Sequence, residues 1–78
     1  MLFKAEVLYS YVHNDSDELD LVAGEIIEVL STEEDPWWLC KNRLGISGMA
    51  PNNYLKRVNL MPHAPKNNGI INLSFNFP

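Results

Sequence analysis

Residues 33–41 read Glu33-Glu34-Asp35-Pro36-Trp37-Trp38-Leu39-Cys40-Lys41: an acidic loop, a proline, then a strand-like run that begins with adjacent tryptophans. These are the only two tryptophans in 78 residues. Successive side chains of a strand point to opposite faces. One ring can therefore cover the domain while its neighbour lies on an outer face, where a flat aromatic makes a binding platform.

Strands and turns extend on both sides of this run, and no helical period is present. Ala5 to Tyr11 is expected as a first strand, and residues 12–18 have loop composition. Leu19 and Leu21 alternate about Asp20 as on a half-buried ribbon. Gly24 marks a turn before a second strand from Glu25 to Leu30, and Ser31 to Pro36 is a second polar loop. Trp37 to Lys41 forms the third strand, Asn42 to Gly45 the next turn, and Ile46 to Ala50 the fourth strand. Pro51 to Tyr54 reads as a tight turn of 3₁₀ type, and Leu55 to Val58 as a closing strand. The expected class is all-β, a small five-stranded barrel built as two orthogonal sheets.

Composition narrows the function. The chain is 46% apolar with one cysteine, so no internal disulfide forms and no zinc-ligand set is available. No signal-like leader and no membrane-length apolar run is present, which gives a cytoplasmic location as the expectation, with no membrane partner. All ten acidic residues fall within residues 1–35, and Asp15, Asp17, Glu18 and Asp20 lie within six positions. That cluster makes a negative field suited to Lys or Arg on a partner and opposes nucleic-acid phosphates. Cys40 paired with His13 or His63 offers no convincing nucleophile, because a strand-interior cysteine is ordinarily an inert small hydrophobe. Neither an enzyme nor a cofactor is expected.

Four blocks in order resemble the Src-homology-3 (SH3) family. Val7-Leu8-Tyr9-Ser10-Tyr11 is similar to its opening Ala-Leu-Tyr-Asp-Tyr signature. Asp17-Glu18-Leu19-Asp20-Leu21 with Gly24-Glu25 resembles the end of its long acidic RT loop. Trp37-Trp38 resembles the pair that follows its n-Src loop, and Gly48-Met49-Ala50-Pro51-Asn52-Asn53-Tyr54-Leu55 its closing motif. The resemblance covers about residues 4–58 and implies a distal loop at the turn after the third strand. It implies an SH3-like barrel over residues 1–58 and an adaptor role in binding proline-rich segments.

A polyproline II helix is extended before it binds and needs shallow grooves rather than a deep pocket. The resemblance assigns the groove to Tyr9, Tyr11, Trp37, Pro51, Asn53 and Tyr54, with parallel aromatic walls. Tyrosine hydroxyls, the Trp37 indole N–H and the Asn53 amide would bond ligand carbonyls. Trp38 is left as strand cover. Glu18, helped by Asp15 and Asp17 and faced by Glu33 and Glu34, would take a flanking Arg or Lys of the ligand, with Met49 bordering that specificity pocket. Alternatively, the groove or sheet edge would engage a folded partner, ubiquitin-like or a neighbouring domain.

Departures from the family pattern are Met49, Ala50, Cys40, Asn52 and Ser10, of which the last two look minor. Cys40 is expected to fill space that Ala50 leaves. Residues 59–70 have linker composition and contain Pro62-His63-Ala64-Pro65, a spacing that allows self-docking. In residues 71–78, Ile71, Leu73, Phe75 and Phe77 alternate with polar residues as a strand-like tail, a candidate for a strand-mediated homodimer.

Overall fold

A computed structural model describes residues 1–59, so the readings of the linker and of the tail lie outside the described residues. Among the described residues five antiparallel strands are present: β1 (Phe3–Val7), β2 (Ile26–Ser31), β3 (Trp37–Lys41), β4 (Ser47–Pro51) and β5 (Leu55–Val58). A 3₁₀ turn, Asn52–Tyr54, separates the last two. Hydrogen bonds join the strands into one barrel-like sheet in the order β4-β3-β2-β1-β5. The register shifts between Val29 and Ser31, where β2 meets β3. An irregularity of that kind adds bend and twist, which lets a single ladder curl over one core.

β1 stops at Val7, four residues short of the Tyr11 expected from its apolar run. The Leu8 N–H turns to the carbonyl of Tyr54, at 2.8 Å, and the chain leaves the sheet as the RT loop. Tyr11 pairs instead with Leu21, by reciprocal backbone bonds of 3.0 and 2.8 Å. In the distal loop the Asn42 side chain accepts the N–H groups of Leu44 and Ile46, both at 3.0 Å. Gly45 completes that turn at φ +84°, a backbone region that side chains with a Cβ adopt only under strain.

Alternation along the strands decides what is inside. Ala5, Val7, Ile27, Val29, Cys40, Ala50 and Leu55 are buried, joined by Leu19 and Leu21 from the RT loop. Asp20 between those leucines is exposed, as their pattern implies. Trp38 shares the inner parity of Cys40 and packs edge-on to Phe3, with ring centroids 5.5 Å apart. Its indole N–H donates to Asp35 at 2.7 Å, and the Arg57 guanidinium lies over the Phe3 ring, 4.6 Å from its centre.

Cys40 faces Gly48 across the β3–β4 ladder, and Ala50 is the next inward residue on β4. The thiol is thus the only side-chain bulk at its own pair, and both Cys40 and Ala50 are fully buried. Burial pushes the Cys40 thiol up to about 11, the opposite of an activated nucleophile. Cys40→Ala is expected to destabilise the fold by more than ~1 kcal/mol through the void it leaves; an unchanged thermal melt would show that the sulfur fills no needed space.

Candidate functional site

The β3–β4 register builds the floor of the site. Trp37 pairs with Pro51 and Leu39 with Met49, so these four side chains share the outward parity while Trp38 takes the inward one. The 3₁₀ turn beside Pro51 then brings in Tyr54, and the start of the RT loop contributes Tyr9 and Tyr11.

The four rings form a continuous row. Tyr9 meets Tyr54 at 5.5 Å, Tyr54 meets Tyr11 at 5.6 Å, and Tyr11 meets Trp37 at 6.2 Å. The expectation of parallel walls is corrected here, because neighbouring planes cross at 80°, 82° and 63°. Aromatic quadrupoles favour such edge-to-face contacts. The crossed rings leave alternating faces and edges open: Tyr9 is 59% exposed, and Tyr11, Trp37, Pro51 and Tyr54 are half-buried. Tyr9 ends the row on one side, and Asn53, next to Tyr54 on the 3₁₀ turn, is exposed.

At the other end of the row Trp37 stands between two clefts. One, of about 280 Å³, is lined by Asp15, Asp17, Glu18, Glu34, Trp37 and Met49. A smaller one, of about 120 Å³, is lined by Ser31, Glu33, Glu34, Trp37, Leu39 and Met49. Carboxylate oxygens of Asp15, Asp17 and Glu18 come within 4.8 Å of one another, which concentrates negative charge at the Trp37 edge. Every residue that the resemblance assigned to the specificity pocket thus borders one of these two clefts. A larger depression of about 530 Å³ lies on another face, lined in part by Val22, Leu44 and Ile46, and has no row of rings.

Two backbone bonds hold the acidic loop in place. The Leu19 N–H donates to the Met49 carbonyl and the Met49 N–H to the Asp17 carbonyl, each at 2.8 Å. They zip the RT loop to β4 as a parallel bridge at Glu18 and Met49. Gly48 makes this approach possible, since a Cβ there would stand 2.9 Å from the Leu19 nitrogen and 3.1 Å from the Asp17 oxygen.

Glu18 is held as well as placed. Its Oε1 accepts the Tyr11 hydroxyl at 2.6 Å and the Asn14 N–H at 2.9 Å. The bond from Tyr11, followed by that from Asn14, keeps the Glu18 carboxyl below the usual carboxylate range, and the same contact pushes the Tyr11 hydroxyl up to about 12. The Tyr11 hydroxyl proton therefore goes to Glu18, whereas the sequence reading had it donated to a ligand carbonyl.

Sequence reasoning missed three further anchors. Asp35 Oδ1 accepts both the Trp38 indole and the Asn52 amide, each at 2.7 Å, and so pins the n-Src loop to the 3₁₀ turn. Asn52, read as a minor departure, is thus a structural tie. Lastly, Asp20 Oδ1 accepts the His13 N–H at 2.8 Å and lies 2.7 Å from the His13 ring Nδ1. These links span gaps of 3, 17 and 7 residues, and only the loop paths bring their ends together.

The Asp20 hydrogen bond raises the His13 pKa, and the bonds from His13 lower that of Asp20. A raised imidazole value adds stability that is complete below the ordinary value of about 6.5 and fades as pH climbs through the raised one. Asp20 adds stability above the ordinary carboxylate value and loses it as pH falls through its lowered value. The thermal stability advantage of the native chain over His13→Gln should therefore be largest between about pH 4.5 and 6 and shrink above about pH 7. Melts across that range check it, and an advantage that grows with pH would contradict the pairing.

The SH3 domain family profile matches residues 6–52. Over 59 residues the chain is 39% identical to Myosin-1 of Aspergillus terreus, covering 74% of this chain and 5% of that protein. It is 45% identical over 51 residues to human proline-serine-threonine phosphatase-interacting protein 1, covering 65% of this chain and 12% of the relative. The chain thus spans only a small part of the curated relatives it matches. Among solved structures it superposes with a TM-score of 0.67, at 32% identity, on the C-terminal SH3 domain of Myosin IB from Entamoeba histolytica bound to an EhFP10(GEF) peptide. That match covers 72% of this chain and 92% of the other. Strand order, 3₁₀ turn and these matches agree: the chain belongs to the SH3 domain family, whose members are protein-interaction modules.

Proposed function

We propose that this chain is a non-enzymatic adaptor module that binds proline-rich segments in the polyproline II conformation and reads a flanking Arg or Lys. The observation that carries the reading is the ring row Tyr9–Tyr54–Tyr11–Trp37 running into the carboxylate cleft. A polyproline II ligand packs apolar rings against exposed aromatic faces and loses little conformational freedom on binding. Its carbonyls have no internal donors, and Asn53 and the Trp37 indole are suited to supply them. A guanidinium or ammonium flanking the proline core fits among Asp15, Asp17 and Glu18, with Glu33 and Glu34 on the far side of Trp37 and Met49 as the adaptable wall. That the similar Entamoeba histolytica domain is bound to a peptide supports a peptide-binding role. Similarity to a myosin and to a phosphatase-interacting protein supports a role in protein assembly.

Because the carboxylates are solvent-accessible, their attraction is screened by salt and contributes more to ligand direction and encounter rate than to affinity. Calorimetry with an Arg-flanked proline-rich peptide should give weak binding, with a Kd on the order of micromolar, and about tenfold weaker binding between low and high salt. A salt-insensitive affinity, or none for any proline-rich peptide, would overturn the proposal.

A further inference from the structure

We propose that Tyr11 is the positioning residue for the Glu18 carboxylate, so that the aromatic row and the cation cleft work as a single unit. This rests on the peptide-binding reading of the site given above.

Glu18 is fixed from two directions. Its backbone is held by the bridge to Met49 and by its own N–H, which donates to the Asp15 carbonyl at 3.1 Å. Its side chain is held at Oε1 by the Tyr11 hydroxyl and the Asn14 N–H. Both bonds fall on the same oxygen, and Glu18 also lines the cleft shared with Asp15, Asp17 and Trp37. A carboxylate with one oxygen anchored presents the other in a defined direction, and fewer rotamers are lost when a cation arrives.

The anchor is itself part of the row. The Tyr11 ring touches both Tyr54 and Trp37, and the Tyr11 backbone is bridged to Leu21 at the base of the RT loop. The ring is therefore set by the groove while its hydroxyl sets the acid. A ligand that seats its prolines between these rings meets a carboxylate already aimed, and one that disturbs Tyr11 disturbs both. Glu18 is accordingly a more directional cation acceptor than Asp15 or Asp17, whose carboxylates take no bond from a ring hydroxyl among the described residues.

The test is Tyr11→Phe, which keeps the ring and deletes the hydroxyl. In the free chain, carbon-detected NMR titration should show the Glu18 carboxyl moving up from its depressed value toward the ordinary one. With peptide, the preference for an Arg flank over an Ala flank should fall about fivefold, and should fall no further when Tyr11→Phe is added to Glu18→Gln. An equal loss of affinity for both peptides would mean that the hydroxyl serves the ligand backbone directly, and would overturn the proposal. An unmoved Glu18 titration would overturn it too. Should neither peptide bind the native chain, the peptide reading fails, and the Glu18 titration still decides what Tyr11 does.

Discussion

Gly48→Val is expected to lower the thermal unfolding midpoint by about 5–20 °C and, in the same molecule, to blunt recognition of a cationic flank. The Cβ would meet the Leu19 nitrogen, the Asp17 oxygen and the Glu18 carbonyl carbon, all of them backbone atoms that cannot rotate away. Relief requires the RT loop to lift from β4, which stretches the Leu19–Met49 and Met49–Asp17 bonds. Overpacking of this kind costs about 1–3 kcal/mol, a large share of what a domain of this size has in reserve. Stability and recognition fall together because the strands that carry the core also carry the loop that carries the acids. A melt at or above the native midpoint would show that the backbone absorbs the added carbons, and the zipper would lose its assigned role.

The adjacent tryptophans should separate cleanly. Trp37→Ala is expected to weaken peptide binding by at least about 30-fold, the scale of an aromatic anchor at the centre of an interface, with little change in the melt. Trp37 belongs to the outward set with Pro51 and borders both acidic clefts. Trp38→Ala should do the reverse, costing about 1–3 kcal/mol of stability through lost packing on Phe3 and a lost bond to Asp35. Paired melts and titrations of the two variants check this, and equal effects on both quantities would contradict the division of faces.

That division was legible in the sequence, because period-two alternation needs no knowledge of the rest of the chain. So were β3 and β5, found from Trp37 to Lys41 and from Leu55 to Val58 as expected. Burial of Leu19 and Leu21 about an exposed Asp20 followed from the same alternation. The end of β1 was not legible: Leu8 to Tyr11 has strand composition, but its hydrogen-bond partners are Tyr54 and Leu21, far away in sequence. The hold of Tyr11 on Glu18, the dual acceptance at Asp35 and the His13–Asp20 pair depend on side-chain direction within folded-back loops. Composition marks such loops as acidic and polar but does not say which oxygen takes which proton. The crossing of the rings belongs to the same category, since residue types fix that aromatics gather and packing fixes their angles.

The most direct test is a chemical-shift map of the full chain titrated with an Arg-flanked proline-rich peptide. The account predicts fast-exchange shifts concentrated at Tyr9, Tyr11, Tyr54 and the Trp37 indole, with Glu18 and Asp17 responding only when the arginine is present. Shifts confined to the face of Val22, Leu44 and Ile46, or none at the four rings at saturating peptide, would contradict it.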